Sequence, residues 1–295
     1  MRGSAAVKVA QPLRPAGLAR RMSAGTAKVS CVPIDQGRTT SGGQFEERFD
    51  RITQSLRQEG RYRIFQNVNR IAGGFPRAVW YDSRGEQKQD VITWCTNDYL
   101  GMGQARAVTE SMHFAISKYG CGSGGTRNIS GTNQGHVDLE IELADLHGKE
   151  SALIFSSCYV ANDALLSVLP DFMPGVHIFS DEGNHASIIQ GIKHASQSPN
   201  FGGKAIYKHN DLQHLASLMK AAPKSAPKIV AFESVYSMSG TTSDIGATCD
   251  VASQFGALTF IDEVRLHATY GRLHVDSCDN RRFTPLDFMA KMEVE

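Results

Sequence analysis

The chain has 295 residues, of which 41% are hydrophobic and 21% are charged, a composition typical of a globular protein with a large core. Its formal net charge of +1 provides no overall field for nucleic acid, and no segment approaches the roughly 20 consecutive apolar residues that cross a bilayer. The six cysteines are scattered without a C-x-x-C pair. This spacing argues against a zinc site or a disulfide framework, so no metal is expected.

The first 44 residues differ in charge from the rest of the chain. No acidic residue precedes Asp35, whereas the same stretch contains several arginines and lysines and is rich in Ala, Ser and Gly. It lacks the continuous apolar core of a secretory signal, and its composition is typical of an organelle transit peptide. A disordered basic tail is the alternative. In either case residues 1–44 are expected to lie outside the fold.

Helical spacing of apolar residues predicts three helices in the next part of the chain, each stopped by a glycine. They cover 45–56, 108–119 and 137–146 and stop at Gly60, Gly120 and Gly148.

Short apolar runs then alternate with helical stretches. The runs are 152–155, 176–179, 205–207, 229–232 and 257–261, and the helical stretches lie near 160–169, 185–195, 211–220 and 246–255. Strands that alternate with helices at this interval indicate βαβ units and a mainly parallel sheet, an α/β fold. Parallel strands are buried on both faces, which explains why these runs do not alternate with polar residues.

Each apolar run is followed by polar residues. These are Ser156–Ser157, Ser180–Asp181, His209–Asn210–Asp211, Glu233–Ser234 and Asp262–Glu263. The carboxyl ends of the strands line the ligand crevice of an open α/β sheet, so the five tips predict a site at one edge. Some tips could instead cap the following helix, and Asp211 is the clearest candidate for a cap.

Two nucleotide-binding motifs are present only in part. Gly120, Gly122 and Gly125 match G-x-G-x-x-G but follow a helix, whereas the dinucleotide motif follows a strand. The run 258–263 resembles a Walker B strand, but the chain has no G-x-x-x-x-G-K-[ST] loop to accompany it. The glycine-dense loop could let backbone approach a ligand or could simply connect two helices tightly, and the sequence leaves both open.

Three features together favour pyridoxal phosphate as the cofactor. Residues 156–159 pass from a strand into a helix, where backbone N–H groups and the helix dipole attract phosphate. His185 follows another strand tip and could stack on a flat ring or transfer a proton. Asp262 at a strand end could keep a pyridine nitrogen protonated and so make the ring an electron sink.

Eight segments, in order and at similar spacing, resemble the α-oxoamine synthases, and among them the 5-aminolevulinate synthases. They are 59–63, 94–101, 122–132, 144–150, 155–163, 184–187, 208–212 and 232–238, within a resemblance that covers roughly 45–271. Thr126-Arg127-Asn128 favours this branch over the biotin-pathway synthases and the serine palmitoyltransferases.

The resemblance implies a homodimeric, pyridoxal-phosphate-dependent acyltransferase with a type I aminotransferase fold. Such enzymes condense glycine with succinyl-CoA and release 5-aminolevulinate, CoA and carbon dioxide, which begins haem and tetrapyrrole synthesis. The basic N-terminal stretch would then direct the protein to the mitochondrial matrix, another organelle being the alternative.

Site residues are implied by the same resemblance. Cys158, Tyr159 and Asn162 would lie around the cofactor phosphate, His185 would stack on the ring and Asp262 would pair with the ring nitrogen. The part derived from the glycine substrate would contact Asn97 and Ser234. The succinyl end would face Arg63, Thr126, Asn128 and Ser180, since an arginine suits a carboxylate geometrically.

The sequence departs from the family in two places. Arg265 and Ser239 stand where the family carries His and Asp, and the resemblance stops after Gly271. The cofactor-bonding lysine is expected some thirty residues beyond Asp262, where only Lys291 offers a faint match. We therefore expect a chain that stops before this lysine and lacks the C-terminal small domain.

The expected organisation has four parts. Residues 1–44 form the transit peptide or tail, 45–105 an N-terminal arm, 106–271 an incomplete cofactor-binding domain and 272–295 an atypical tail. A catalytically inactive paralogue that binds cofactor or a dimer partner is the alternative function, as is another α-oxoamine synthase activity.

Overall fold

The computed structural model describes residues 43–82 and 85–264. The chain divides into two compact units, the first ending at Gln66 and the second beginning at Asn67. In the described part of the first unit, helix α1 spans Gly43–Gln58, as the apolar spacing predicts. The chain leaves this helix through Gly60, whose φ of 67° is a left-handed conformation that glycine adopts without strain.

The second unit begins with a small antiparallel sheet that the sequence analysis did not predict. Its strands are β1 (Asn67–Arg70), β2 (Arg77–Tyr81) and β3 (Gln87–Ile92), in the order β1-β2-β3. All four residues of β1 are exposed, and β3 contains Gln87, Gln89 and Asp90. Strands with so little apolar alternation carry no periodic signal in the sequence.

The second and third predicted helices are confirmed. Helix α2 spans Arg106–Tyr119, and α3 spans Gln134–His147. Asn133 caps α3 by accepting the N–H of His136, while Gly148 ends it in a left-handed conformation.

The glycine-dense loop between α2 and α3 folds back on itself. It contains a π-helical turn at Arg127–Gly131, and a Cβ on Gly131 would overlap the carbonyl of Gly125. This close backbone approach accounts for Gly131, while a Cβ on Gly125 would meet Ser130 Oγ at 2.6 Å. The loop is therefore a tight connection between helices, and the approach of a ligand to its backbone stays a prediction.

The main sheet of the second unit is parallel, with the order β5-β4-β6-β7. Its strands are β4 (Val176–Asp181), β5 (Phe201–Tyr207), β6 (Lys228–Glu233) and β7 (Leu258–Asp262). The helices are α4 (Cys158–Phe172), α5 (Ala186–Ala195), α6 (Leu212–Ala221) and α7 (Ile245–Gln254). The predicted alternation of strands and helices is thus confirmed from residue 158 to residue 262.

Hydrophobic cores lie on both faces of this sheet. One contains residues of α4 and α5 with Ile178, and the other contains residues of α6 and α7 with Phe179. Because successive strand residues point to opposite faces, adjacent apolar residues of β4 serve both cores. All six residues of β6 are buried, as expected of an inner strand covered on two sides.

The predicted first strand at 152–155 is wrong. Ile154 pairs with side chains instead, donating its N–H to Glu140 Oε1 at 2.8 Å and accepting from Arg127 Nη1 at 3.2 Å. Its backbone groups are therefore satisfied without a neighbouring strand. The Arg127 guanidinium, as a hydrogen-bonding partner, lowers the pKa of Glu140 below its ordinary value of 4.5.

We predict that Glu140→Gln lowers the free energy of unfolding by about 1–2 kcal/mol at pH 7, since Arg127 keeps its charge while its partner loses the opposite charge. A carboxyl with a depressed folded-state pKa stabilises above its unfolded pKa, and this contribution is lost as the pH falls through the folded value. The difference from wild type should therefore shrink in acid. Urea unfolding at pH 7 and pH 4 measures it.

The matched control is Glu110→Gln, which removes the exposed ion pair between Arg106 and Glu110 on α2. Such pairs contribute roughly 0.3–0.5 kcal/mol. An equal effect of the two substitutions would contradict a special role for Glu140.

Candidate cofactor-binding site

The carboxyl ends of β6 and β7 form the floor of a cleft. Glu233 and Asp262 lie opposite each other in the register of these strands. Ser234 joins the two ends, because its N–H and hydroxyl both donate to the Asp262 carbonyl, at 3.0 and 3.2 Å. The cleft has an empty volume of about 700 Å³, part of it open to solvent. Its lining consists of Asn97, Tyr99, Cys158, Tyr159, His185, Ser187, Glu233, Ser237, Asp262 and Val264.

Two hydrogen bonds hold the Asp262 carboxylate in place. Oδ2 accepts a 2.7 Å hydrogen bond from Asn162 Nδ2, and Oδ1 accepts the N–H of Val264 at 3.1 Å. Asn162 is 3% exposed and does not itself line the cleft. These two donors give the carboxylate a defined orientation at the end of β7.

Cys158 begins α4 beside this carboxylate. Its Sγ lies 3.8 Å from both carboxylate oxygens of Asp262. Burial and the negative charge of Asp262 raise the pKa of the Cys158 thiol to about 12. The thiol is therefore protonated near neutral pH and donates weakly to Asp262, so it is a poor nucleophile.

The N-terminus of α4 opens into the same cleft. Ser157 caps the helix by accepting the N–H of Val160, and Tyr159 in the first turn is 46% exposed. A helix N-terminus attracts anions through its N–H groups and its dipole. The start of α4 is thus the part of the cleft best suited to a phosphate.

His185 stands at the start of α5. Its Nδ1 lies 2.8 Å from Ser187 Oγ and accepts the N–H of Ser187 at 3.2 Å. The ring meets Tyr159 edge to face, with centroids 6.1 Å apart and planes at 83°. The imidazole is consequently fixed on the cleft wall opposite α4.

The structure brings five sequence-predicted residues to the cleft wall: Asn97, Cys158, Tyr159, His185 and Asp262. Ser234 is buried directly beneath Asp262. Ser180 is also buried, where it accepts from Asn184.

Thr126 and Asn128 are not among the lining residues and hydrogen bond to each other at 2.7 Å. Arg63 belongs to the first unit. Arg265 and Lys291 lie outside the described residues. The substrate roles of these residues, and of Ser180 and Ser234, stay predictions.

Sequence reasoning assigned no role to several residues at the cleft. Tyr99, Ser187, Glu233, Ser237 and Val264 contribute to its lining. Glu233 was recognisable as a strand tip, but Tyr99 belongs to a loop that only tertiary packing brings to the sheet. The predicted cap is confirmed, since Asp211 accepts the N–H of His214 at the start of α6.

Residues 89–284 match the family model for aminotransferase class I and II, which is well over half of the chain. The chain belongs to this family. Its predicted fold class is thereby confirmed.

Curated relatives give a finer comparison. The chain is 54% identical over 222 residues to 5-aminolevulinate synthase of Rhodobacter capsulatus, covering 75% of this chain and 53% of that protein. It is 52% identical over 231 residues to the mitochondrial 5-aminolevulinate synthase of Saccharomyces cerevisiae, covering 78% of this chain and 40% of that protein. The chain thus spans about half the length of the curated relatives it matches, and the resemblance drawn from its motifs is confirmed.

Solved structures agree on the fold. Serine palmitoyltransferase of S. paucimobilis with bound PLP and myriocin is 28% identical, with a TM-score of 0.62, over 76% of this chain and 54% of that chain. The Sphingomonas wittichii serine palmitoyltransferase is 26% identical with the same TM-score, over 76% and 53%. The described fold is therefore of the type I aminotransferase kind.

Among the residues that the structure describes, no helix is long and apolar enough to span a membrane. No group of His, Cys, Asp and Glu in the same residues could hold a metal ion.

We predict that Cys158 reacts with iodoacetamide at least a hundredfold more slowly than Cys95 at pH 8, because its thiolate fraction is far smaller. Cys95 and Cys121 are exposed and serve as internal controls. Asp262→Asn should increase the reactivity of Cys158 alone, since it removes one cause of the raised pKa. Peptide mass spectrometry over time measures all three rates, and equal labelling of Cys158 and Cys95 would contradict the prediction.

Proposed function

We propose that this chain is the cofactor-binding part of a pyridoxal-phosphate-dependent 5-aminolevulinate synthase, an acyltransferase that joins glycine to succinyl-CoA and releases 5-aminolevulinate, CoA and carbon dioxide. The observation that carries the proposal is the Asp262 carboxylate, held at the end of β7 by Asn162 and directed at a cleft beside the N-terminus of α4. The identity of about one half to 5-aminolevulinate synthases supports this choice within the aminotransferase family.

The residues at the cleft fit pyridoxal phosphate chemically. Asp262 would pair with the ring nitrogen, His185 would lie against the ring, and Cys158 and Tyr159 at the start of α4 would receive the phosphate. When bound, the cofactor withdraws electrons from the amino-acid carbon that loses a proton. The task of Asp262 is to keep a proton on the ring nitrogen, and that task requires a carboxylate whose oxygens are already oriented.

For Asn162 we propose a role at the ring of the cofactor, different from the phosphate contact that the resemblance implies. Its amide lies against Asp262 and Ser187, at 2.7 and 3.0 Å. A side chain that is buried and engaged with a carboxylate serves the ring end of the cleft better than the phosphate end.

A second candidate function is a chain that binds the cofactor without turning over. No lysine lines the cleft within residues 43–82 and 85–264, whereas synthesis requires a base at the amino-acid carbon. The expected lysine is not found in the sequence, in which Lys291 offers only a faint match to its position. Without a lysine there, the described residues would support cofactor binding alone.

Two further proposals concern assembly and location. Several apolar side chains at helical spacing on α2 are well exposed, among them Met112 at 59%, Ile116 at 47% and Tyr119 at 66%, which suits a covered face in a homodimer. The basic N-terminal stretch and the mitochondrial relatives support import into the mitochondrial matrix.

We predict that Asp262→Asn weakens pyridoxal-phosphate binding at least tenfold, because the amide cannot keep the ring nitrogen protonated. Equilibrium titration of the purified chain, followed by cofactor absorbance, measures the dissociation constant. Asp163→Asn is the matched control, since Asp163 lies on α4, which borders the cleft, but pairs with His194 on the surface. Equal affinity of wild type and Asp262→Asn would refute the proposed site.

Borohydride reduction of the chain mixed with pyridoxal phosphate distinguishes the two functions. A specific added mass on Lys291, mapped by peptide mass spectrometry, would support synthase activity of this chain by itself. Saturable binding without a specific label would instead show that this chain binds the cofactor but is not a working synthase by itself. Lys228 is an internal control, because it is buried and bonded to three backbone carbonyls.

A further inference from the structure

A buried row of hydrogen bonds connects the two residues proposed to contact the cofactor ring. Asn162 Nδ2 donates to Asp262 Oδ2 at 2.7 Å and to Ser187 Oγ at 3.0 Å. Ser187 Oγ lies 2.8 Å from His185 Nδ1. Asn162 and Ser187 are 3% and 0% exposed, so bulk water cannot substitute for these partners. We call the row Asp262, Asn162, Ser187 and His185 the relay.

The chemistry of its members determines which group donates and which accepts in each hydrogen bond of the relay. A carboxylate offers only acceptors, so the Asn162 amide must turn its NH₂ group toward Asp262. The same NH₂ group faces Ser187, whose oxygen therefore accepts. The remaining Ser187 hydrogen then points to His185 Nδ1, where the backbone N–H of Ser187 also donates.

Two donors directed at Nδ1 leave no place for a proton on that nitrogen. In the neutral imidazole one ring nitrogen donates and the other accepts, so the proton must lie on Nε2. The backbone N–H and the hydroxyl of Ser187 thus set the tautomer of His185. The Asp262 carboxylate contributes through Asn162, whose NH₂ group takes the acceptor side of the Ser187 hydroxyl and leaves its hydrogen to donate to Nδ1.

We propose that Asn162 and Ser187 are positioning residues that orient the Asp262 carboxylate and hold His185 as its Nε2–H tautomer. The inference deepens the proposed function, because both ends of the relay belong to the proposed cofactor site. It concerns hydrogen bonds of the chain itself, however, and is measurable without cofactor.

The test is nuclear magnetic resonance of the chain labelled with ¹⁵N-histidine, at a pH where the imidazole is neutral. His185→Gln identifies the His185 signals by their loss. Wild type should show an unprotonated Nδ1 and a protonated Nε2. Ser187→Ala should show a mixture of both tautomers, because only the backbone N–H then donates to Nδ1, and Asn162→Leu should show a smaller change in the same direction, because both Ser187 donors remain.

Ser167→Ala is the matched control. Ser167 lies on α4 and donates to the carbonyl of Ala164, away from the relay. It should leave the His185 tautomer unchanged. Should Asn162→Leu fail to fold, Ser187→Ala alone decides, since it removes only one hydroxyl.

A proton on Nδ1 in the wild type, or an unchanged His185 spectrum in both variants, would overturn the inference. Pyridoxal-phosphate titration adds a separate readout, in which Asn162→Leu should lower affinity about tenfold through the loss of one hydrogen bond that orients Asp262. If the tautomer responds as expected while the wild type binds no cofactor, the relay stands and the proposed function fails.

Discussion

The pairing of β6 with β7 is the constraint on which the candidate site depends. Its parallel register places Glu233 and Asp262 side by side at one edge of the sheet. Both strands are held by helices on two faces, so the ends of the strands cannot shift without disturbing two cores at once. The Asp262 carboxylate is therefore carried by a strand that packs into both cores.

Buried polar groups around Asp262 are costly unless each finds a partner. Asn162, Ser187 and Ser234 are all nearly inaccessible, and all three are engaged within one network that includes the backbone of Asp262. The hydrogen bonds of such a network offset the desolvation of its polar groups and fix the orientation of the Asp262 carboxylate. Here it joins the starts of α4 and α5 to the end of β7, three points far apart in sequence.

The ion pair between Arg127 and Glu140 has a purely structural effect. Arg127 and Glu140 bind both backbone groups of Ile154, so two side chains replace the hydrogen bonds that a neighbouring strand would provide. This arrangement holds the segment that leads into α4. The helix N-terminus at the cleft thus depends on an ion pair formed by the turn at 127–131 and helix α3.

The sequence by itself determined the parallel α/β architecture, since buried strands and amphipathic helices alternate from residue 158 to residue 262 with unmistakable periods. It also determined which residue types stand at the strand ends, including Asp262 and His185. Periodicity could not reveal β1–β3, since β1 is wholly exposed and β3 is largely polar. Nor could it show that 152–155 lacks a strand partner, because an apolar run does not specify pairing. Only the tertiary structure decided that Asn162 faces Asp262 and that Ser187 joins it to His185. These contacts connect residues up to 100 positions apart, and hydrogen-bond direction follows from which groups meet in space.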